Sequence, residues 1–148
     1  EVSGARVILA DEPTPGLDPD ALKRTLHSFR DLADRGAAVL LITHDLEAAL
    51  TIADWIAVFY AGTTVEIAPA ADFADRGDKL RHPYTIALWR ALPSNEFLPI
   101  PGSQPSLDEL PQGCPFAPRC ERATPECAAE RPLMRELRGG WVCCVHAV

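Results

Sequence analysis

The sequence predicts an α/β fold with a mostly parallel sheet, followed by a loop-rich extension that contains the cysteines. In the first part of the chain, short apolar runs alternate with segments of helical periodicity, an order typical of parallel sheets. Proline and serine then accumulate without periodicity over residues 93–111, which indicates an extended connector. All five cysteines lie beyond this connector.

The first elements are a strand, a helix and a second strand. Residues 6–10 form a short apolar run, which predicts a buried strand. Asp18 and Pro19 predict the start of a helix, because aspartate caps helix N-termini and proline favours the first helical position. Apolar residues then recur at helical spacing as far as Gly36, where we expect the helix to end. Residues 37–43 form a second apolar run and predict the next strand.

A short helix and a hairpin are predicted next. Residues 46–53 favour a helix, and residues 55–60 and 63–68 favour two strands that are joined by a tight turn at Ala61 and Gly62. We therefore expect the antiparallel hairpin to lie at the edge of the parallel sheet.

The bulk composition limits the classes of protein to which the chain can belong. The chain has 148 residues and a formal net charge of −7, which argues against a nucleic-acid-binding surface. No run of about eighteen apolar residues occurs, so we expect no membrane-spanning helix. Residues 1–4 lack the pattern of a signal peptide, and we expect a reducing compartment in which cysteines bind metals more often than they form disulfides.

Polar residues with catalytic chemistry follow both predicted parallel strands. Asp11 and Glu12 come directly after the first strand, and His44 comes after the second. The carboxyl ends of parallel strands meet at one edge of a sheet, so we expect these side chains to lie near one another. An aspartate there can hold Mg²⁺, and a neighbouring glutamate can polarise an attacking water. The pattern therefore predicts a nucleotide-hydrolysing site.

These segments resemble the ATP-binding subunits of ABC transporters. Residues 8–14 (ILADEPT) are similar to the Walker B segment, residues 15–19 (PGLDP) to the D-loop, and residues 43–45 (THD) to the switch-histidine motif. The resemblance implies that the first part of the chain is the C-terminal part of a P-loop NTPase domain of the ABC ATPase type.

The resemblance also implies a role for each residue. It implies that Asp11 positions the Mg²⁺ of ATP, that Glu12 is the general base, and that His44 contacts the γ-phosphate. Leu17 and Asp18, in the D-loop, would lie at the interface with a second ATP-binding subunit.

Other motifs of this family do not occur in the sequence. There is no G-x-x-x-x-G-K-[ST] phosphate loop, and the only lysines, Lys23 and Lys79, do not lie in glycine-rich loops. The glutamine loop and the signature motif are also absent. We therefore expect that these 148 residues alone neither bind ATP tightly nor hydrolyse it.

The second part of the chain narrows the resemblance to one subfamily. Residues 82–85 (HPYT), residues 100–103 (IPGS) and the cysteine cluster resemble the C-terminal extension of oligopeptide, dipeptide and nickel importers. This resemblance implies ATP-driven uptake of oligopeptides, dipeptides or nickel. The partners implied are membrane permease subunits and, indirectly, an extracytoplasmic binding protein, with the chain at the cytoplasmic face of the cell membrane.

Three regions follow from these assignments. Residues 1–80 are expected to belong to the ATPase domain, residues 81–113 to contain the HPYT helix and the connector, and residues 114–148 to bind metal. The HPYT helix itself is expected to include residues 85–92.

The cysteines form the candidate metal site. They are Cys114, Cys120, Cys127, Cys143 and Cys144. Four thiolates can hold Zn²⁺ or a [4Fe–4S] cluster, and buried free thiols or disulfides are the alternatives to a metal. The family resemblance favours the cluster, with Cys144 as the fourth ligand, Cys143 as its substitute and His146 as a weaker alternative.

Two other functions compete with peptide import. One is a DNA-repair ATPase of the excinuclease type, which shares a similar Walker B segment and cysteine metal sites. The acidic charge and the order of the C-terminal motifs argue against it. The other is a non-catalytic module in which the cysteine extension is the active part.

Overall fold

The computed structural model describes residues 4–147. Within that range, residues 4–53 form one compact unit, called the N-terminal unit, and residues 54–147 form another, called the C-terminal unit. No helix in the described part of the chain has the length and apolar character needed to cross a bilayer.

The N-terminal unit has β-α-β-α order. Its elements are β1 (Val7–Asp11), α1 (Pro19–Asp34), β2 (Ala38–Ile42) and α2 (Leu46–Leu50). Strands β1 and β2 pair in parallel, with Asp11 opposite Ile42. The predicted order of strands and helices is therefore confirmed here, with shifts of a few residues at the boundaries.

Local sequence signals explain where α1 begins and ends. The Asp18 carboxylate accepts hydrogen bonds from the backbone N–H of Asp20 at 3.0 Å and of Ala21 at 2.8 Å. These two donors have no partner within the helix, so the cap stabilises its first turn. Gly36 follows the helix with a φ of +95°, a conformation that glycine adopts more readily than other residues.

The C-terminal unit is built around a four-stranded antiparallel sheet. Its strands are β3 (Trp55–Tyr60), β4 (Thr63–Pro69), β5 (Arg135–Leu137) and β6 (Gly140–Val142), in the spatial order β3-β4-β6-β5. The predicted hairpin is thus present as β3 and β4. Strand β6 pairs with β4, with Glu66 opposite Val142.

The expectation of a mostly parallel sheet was wrong. Within residues 4–147, only β1 and β2 are parallel, and the other strands form a separate antiparallel sheet. The hairpin of β3 and β4 does not lie at the edge of a parallel sheet, because β4 pairs with β6, a strand from the cysteine-rich region. Strands β5 and β6 have three residues each, too few for a period-2 pattern to reveal them.

Two helices complete the C-terminal unit, α3 (Pro83–Ala91) and α4 (Pro125–Ala129). Helix α3 begins two residues before the predicted start, because His82 caps it and Pro83 occupies its first turn. The connector over residues 93–111 contains a single 3-10 turn, Leu107–Glu109, and no strand. The boundaries expected after residues 80 and 113 stay predictions.

Candidate functional site

Glu12 and His44 are in contact at the carboxyl ends of β1 and β2. The Nδ1 atom of His44 lies 3.0 Å from both carboxylate oxygens of Glu12. The exposed fractions of the two side chains are 80% for His44 and 38% for Glu12. A carboxylate and an imidazole in hydrogen-bond contact can exchange a proton with a water or phosphate oxygen bound beside them.

The backbone around Glu12 explains how the pair is positioned. The backbone N–H of Glu12 donates to the Ile42 carbonyl at 2.9 Å, so pairing with β2 extends beyond β1 itself. Glu12 also has a φ of +45°, a left-handed conformation that is rare for residues other than glycine. Such strain is often found at functional sites, where the surrounding structure maintains it.

Glu12 also changes the pKa of His44. The hydrogen bond that His44 donates to the Glu12 carboxylate, and secondarily the negative charge of Glu12, raise the pKa of His44 above the ordinary value of 6.5. At any given pH the imidazolium form is therefore more populated than in a histidine without this partner, and that form can attract an anionic group such as a phosphate.

The other predicted site residues of this unit lie nearby in the chain, with different roles in the structure. Asp11 is exposed and is the last residue of β1. Leu17 is 39% exposed. Asp18 is exposed and uses its carboxylate as the cap of α1. The structure thus brings Glu12 and His44 together and places Asp11 next to Glu12, as the last residue of β1.

The cysteines predicted as ligands line one small cavity in the C-terminal unit. This cavity, called the cysteine cavity, is bordered by Cys114, Cys120, Cys127 and Cys144. Cys114 and Cys127 are also joined through their backbones, because the N–H of Cys114 donates to the carbonyl of Cys127 at 2.8 Å. Four thiols from separate segments therefore converge on one space.

Cys143 is positioned differently from Cys144. Its thiol donates to the Met134 sulfur at 3.8 Å, and it is absent from the lining of the cysteine cavity. The alternation of β6 continues past the end of that strand, since Val142 and Cys144 are buried whereas Trp141 and Cys143 are more exposed. Of the two adjacent cysteines, the structure therefore places Cys144 with the other three.

The chemistry of the donor set fits a thiolate-bound metal centre. Burial raises the pKa of Cys114, Cys120 and Cys144, with repulsion between the cysteines as a smaller cause. Metal binding would have to displace these protons, since the thiolate is the ligand. Within residues 4–147, no group of three or more His, Cys, Asp or Glu side chains is already arranged to hold a metal ion.

Two histidines also line the cysteine cavity, and they differ in their hydrogen bonds. The Nε2 atom of His146 lies 3.0 Å from the Thr124 hydroxyl oxygen, which in turn lies 3.6 Å from the Cys127 sulfur. His82 is 1% exposed, and its Nε2 atom has no hydrogen-bond partner. The sequence did not predict that His82 borders this cavity. A histidine before a proline at the start of a helix indicates only where that helix begins.

A buried charged network holds the segment that carries His82. The Glu66 carboxylate accepts from the backbone N–H of Arg81 at 2.9 Å and of His82 at 2.8 Å. The Arg81 guanidinium donates to Glu66 at 3.2 Å, to Asp72 at 2.7 Å and to the Leu137 carbonyl at 2.6 Å. The side chains of Glu66 and Arg81 are both 0% exposed. A glutamate within the apolar strand β4 was the one signal in the sequence that pointed to such a network.

An aromatic cluster lies beside the cysteine cavity. The ring of Phe116, which lines the cavity, has its centroid 5.3 Å from those of both Tyr60 and Tyr84. Arg119 donates to the Tyr60 hydroxyl at 3.1 Å and to the carbonyls of Ile100 and Pro101 at 3.0 Å and 2.7 Å. The connector is thereby attached to the cysteine-rich region.

The chain is similar to known proteins over most of its length. A family model described as the C-terminal region of oligopeptide/dipeptide transporters matches residues 65–127. The oligopeptide transport ATP-binding protein OppD of Mycobacterium tuberculosis is 40% identical over 139 residues, which cover 88% of this chain and 22% of that protein.

Two further relatives bear the same name. The protein from Haemophilus influenzae is 36% identical over 147 residues, covering 93% of this chain and 45% of the relative. The protein from Escherichia coli K12 is 37% identical over 134 residues, covering 86% of this chain and 39% of the relative. The chain thus spans less than half the length of these relatives. Over most of its length the chain is thus similar to oligopeptide transport ATP-binding proteins, and residues 65–127 match the C-terminal region of oligopeptide/dipeptide transporters.

Proposed function

We propose that the chain is part of the ATP-binding subunit of an ABC importer that couples ATP hydrolysis to peptide uptake. The contact between Glu12 and His44, at 3.0 Å on the rim of two parallel strands, is the observation that supports this function best. The relatives are named for oligopeptide transport. Those names support peptides as the substrate and give no support to nickel, to DNA repair or to a non-catalytic module.

In this proposal, each residue at the rim has one task in hydrolysis. Asp11 supplies carboxylate oxygens to the Mg²⁺ of ATP, which neutralises charge on the phosphates, and its exposed position at the strand end suits an oxygen ligand. Glu12 accepts a proton from the attacking water. His44, whose pKa is raised by Glu12, donates a hydrogen bond to the γ-phosphate.

The proposed partners follow from the same function. Leu17 and Asp18 would contact a second ATP-binding subunit, and Leu17 exposes a large apolar side chain that such a contact could bury. Membrane permease subunits would couple hydrolysis to transport, and an extracytoplasmic binding protein would deliver the peptide. The chain would act at the cytoplasmic face of the cell membrane.

We also propose that the cysteine cavity holds a metal centre, with Cys114, Cys120, Cys127 and Cys144 as ligands. A [4Fe–4S] cluster is the proposed occupant, and Zn²⁺ is the alternative, because both accept four thiolates. The support for this is the convergence of four cysteines from separate segments on one cavity. Such a centre would stabilise a region whose strands are only three residues long.

Peptide uptake by a chimera tests the proposed function. This chain would replace the matching C-terminal region of the E. coli relative in a strain that lacks that protein and needs an imported peptide for growth. We expect growth with the chimera and none with its Glu12→Gln variant at equal protein level. Growth that persists with Glu12→Gln would overturn the proposed function.

Metal analysis of the chain tests the proposed centre. After anaerobic reconstitution with ferrous iron and sulfide, we expect about four iron atoms per chain and absorbance near 400 nm, both lost in Cys114→Ser. Cys143→Ser should retain both, because that thiol does not line the cavity. Uptake of Zn²⁺ or Co²⁺ without iron would identify the alternative occupant.

A further inference from the structure

We propose that the Nε2–H group of His82 donates a hydrogen bond to a sulfur atom of the metal centre in the cysteine cavity. His82 would then be a positioning and tuning residue of that centre rather than one of its ligands. This inference rests on the proposed metal centre, and it assigns a role to the histidine of the HPYT segment.

The hydrogen bonds of His82 determine which nitrogen carries the proton. The backbone N–H of Tyr84 donates to Nδ1 of His82 at 3.0 Å, as the cap of α3. A nitrogen that accepts a hydrogen bond carries no proton in the neutral ring, so the proton is on Nε2. Burial keeps the ring neutral, because it lowers the pKa of His82 to about 4. His82 therefore presents a neutral N–H donor at Nε2.

This donor has no partner among the described residues of the protein. His82 Nε2 and Thr85 Oγ1 are the only buried side-chain nitrogen or oxygen atoms in that part of the chain without a hydrogen bond. A buried donor without an acceptor costs about 1–3 kcal/mol, so such groups are rare in folded proteins. The structure retains this donor even though the backbone N–H groups of Arg81 and His82 both donate to Glu66.

The cysteine sulfur atoms are the candidate acceptors in the surroundings of His82. His82 borders the cysteine cavity together with four cysteines, whereas Thr85 does not border it. The other histidine at the cavity, His146, already contacts Thr124 through Nε2. A protonated thiol is a weak acceptor, but a metal-bound thiolate or a cluster sulfide carries negative charge and accepts N–H donors well.

Such a hydrogen bond has a predictable effect on the centre. Hydrogen bonds to the sulfur atoms stabilise the extra negative charge of the reduced state, so they raise the reduction potential of an iron–sulfur cluster. The segment that carries His82 is held by the network of Glu66 and Arg81, so the donor is rigidly placed.

Two substitutions separate this role from the structural role of His82. His82→Asn retains an acceptor near the position of Nδ1, and can cap α3, but it lacks a donor at the reach of Nε2. His82→Gln retains a donor near the position of Nε2 but loses the cap. Thr85→Val removes the other unpartnered group and does not alter the cavity lining.

The test is the midpoint potential of the full chain after anaerobic reconstitution with iron and sulfide. We expect His82→Asn to shift the potential to a more negative value, and His82→Gln and Thr85→Val to leave it close to that of the unmodified chain. The free energy of unfolding should be lower in His82→Gln than in His82→Asn, because only His82→Gln loses the cap of α3. If the chain binds only Co²⁺ or Zn²⁺, the cobalt–thiolate charge-transfer band should move to lower energy in His82→Asn alone.

The outcomes distinguish this inference from the function on which it rests. If the unmodified chain takes up no metal that depends on Cys114, both the metal centre and the role of His82 are wrong. If the chain is loaded and His82→Asn leaves the potential or the band unchanged, the metal centre stands and only the role of His82 is wrong.

Discussion

The two compact units differ in which side chains they expose to solvent and which they bury. In the N-terminal unit, β1 and β2 expose apolar side chains along one face: Val7, Leu9, Leu40 and Ile42 are 53–73% exposed. The C-terminal unit also exposes some apolar side chains, such as Phe59 at 63%, but it buries charged side chains in its interior, and Glu66 is 0% exposed. The first unit thus presents its pair, Glu12 and His44, at the surface, whereas the second buries Cys114, Cys127 and Cys144.

This difference indicates which unit is stable without contacts to further protein surface. A sheet of two strands is at most marginally stable alone, and burial of its exposed apolar face would require further protein surface. The C-terminal unit has four strands, a covered core and a buried charged network. We infer that the C-terminal unit is the stable scaffold and that the candidate catalytic rim depends on additional contacts.

Hydrogen exchange should show the largest contrast between the units. We expect the amides shared by β1 and β2 to be protected roughly a thousandfold less than those shared by β3 and β4, because local opening energies range from near 0 to the global 5–15 kcal/mol. Mass-spectrometric exchange of the full chain measures both at once. Equal protection in the two sheets would contradict the inference.

Removal of the buried carboxylate should have the next largest effect. Glu66→Gln leaves the Arg81 guanidinium with weaker buried partners, so we expect a loss of about 3–5 kcal/mol in the free energy of unfolding of the C-terminal unit. Urea unfolding followed by the fluorescence of the tryptophans measures it. The matched control is Glu96→Gln, which removes an exposed pair with Arg90 at 3.3 Å and should cost less than about 1 kcal/mol. A similar loss in both variants would show that the network is not important for stability.

Acid should destabilise the C-terminal unit through His82. Its pKa is lowered to about 4 in the folded chain and lies near 6.5 when unfolded, so the unfolded state binds more protons between these values. Stability therefore falls as the pH falls through this range, by on the order of 2 kcal/mol between pH 7 and pH 5. Thermal unfolding of the unmodified chain and of His82→Asn measures the difference. The acid dependence should weaken in the variant, and an unchanged dependence would show that His82 is not its source.

The smallest expected effect is on the titration of His44. Glu12→Gln removes both the carboxylate hydrogen bond and the charge that raise the pKa of His44, so that pKa should fall toward 6.5. In the unmodified chain, the raised pKa favours the folded pair fully below pH 6.5, and this contribution is lost as the pH rises through the folded pKa. NMR titration of the imidazole protons measures the shift. Glu47→Gln, in the first turn of α2, should leave the His44 titration unchanged, and an identical curve for Glu12→Gln would contradict the contact.

The sequence predicted the features that depend on local signals. Asp18 and Pro19 identified the start of α1, and the apolar runs identified β1 and β2. The hairpin of β3 and β4 was also predicted, because its strands are long enough to show a pattern. These elements are encoded by neighbouring residues, so a single sequence is sufficient to find them.

The features that were missed depend on contacts between distant residues. Strand β6 pairs with β4 across more than seventy residues, and Glu66 contacts Arg81 from a different element. No local pattern encodes either contact. The preference for Cys144 over Cys143 came from resemblance, although alternation from Val142 onward also carries that information.

ATP turnover by the chimera with the E. coli relative tests the central claim most directly. The claim is that this chain supplies the residues that activate the attacking water for ATP hydrolysis. We expect the purified chimera to hydrolyse ATP, and Glu12→Gln to reduce kcat by at least about a hundredfold while ATP binding is retained. A Glu12→Gln chimera that hydrolyses ATP at the rate of the parent chimera would contradict the claim.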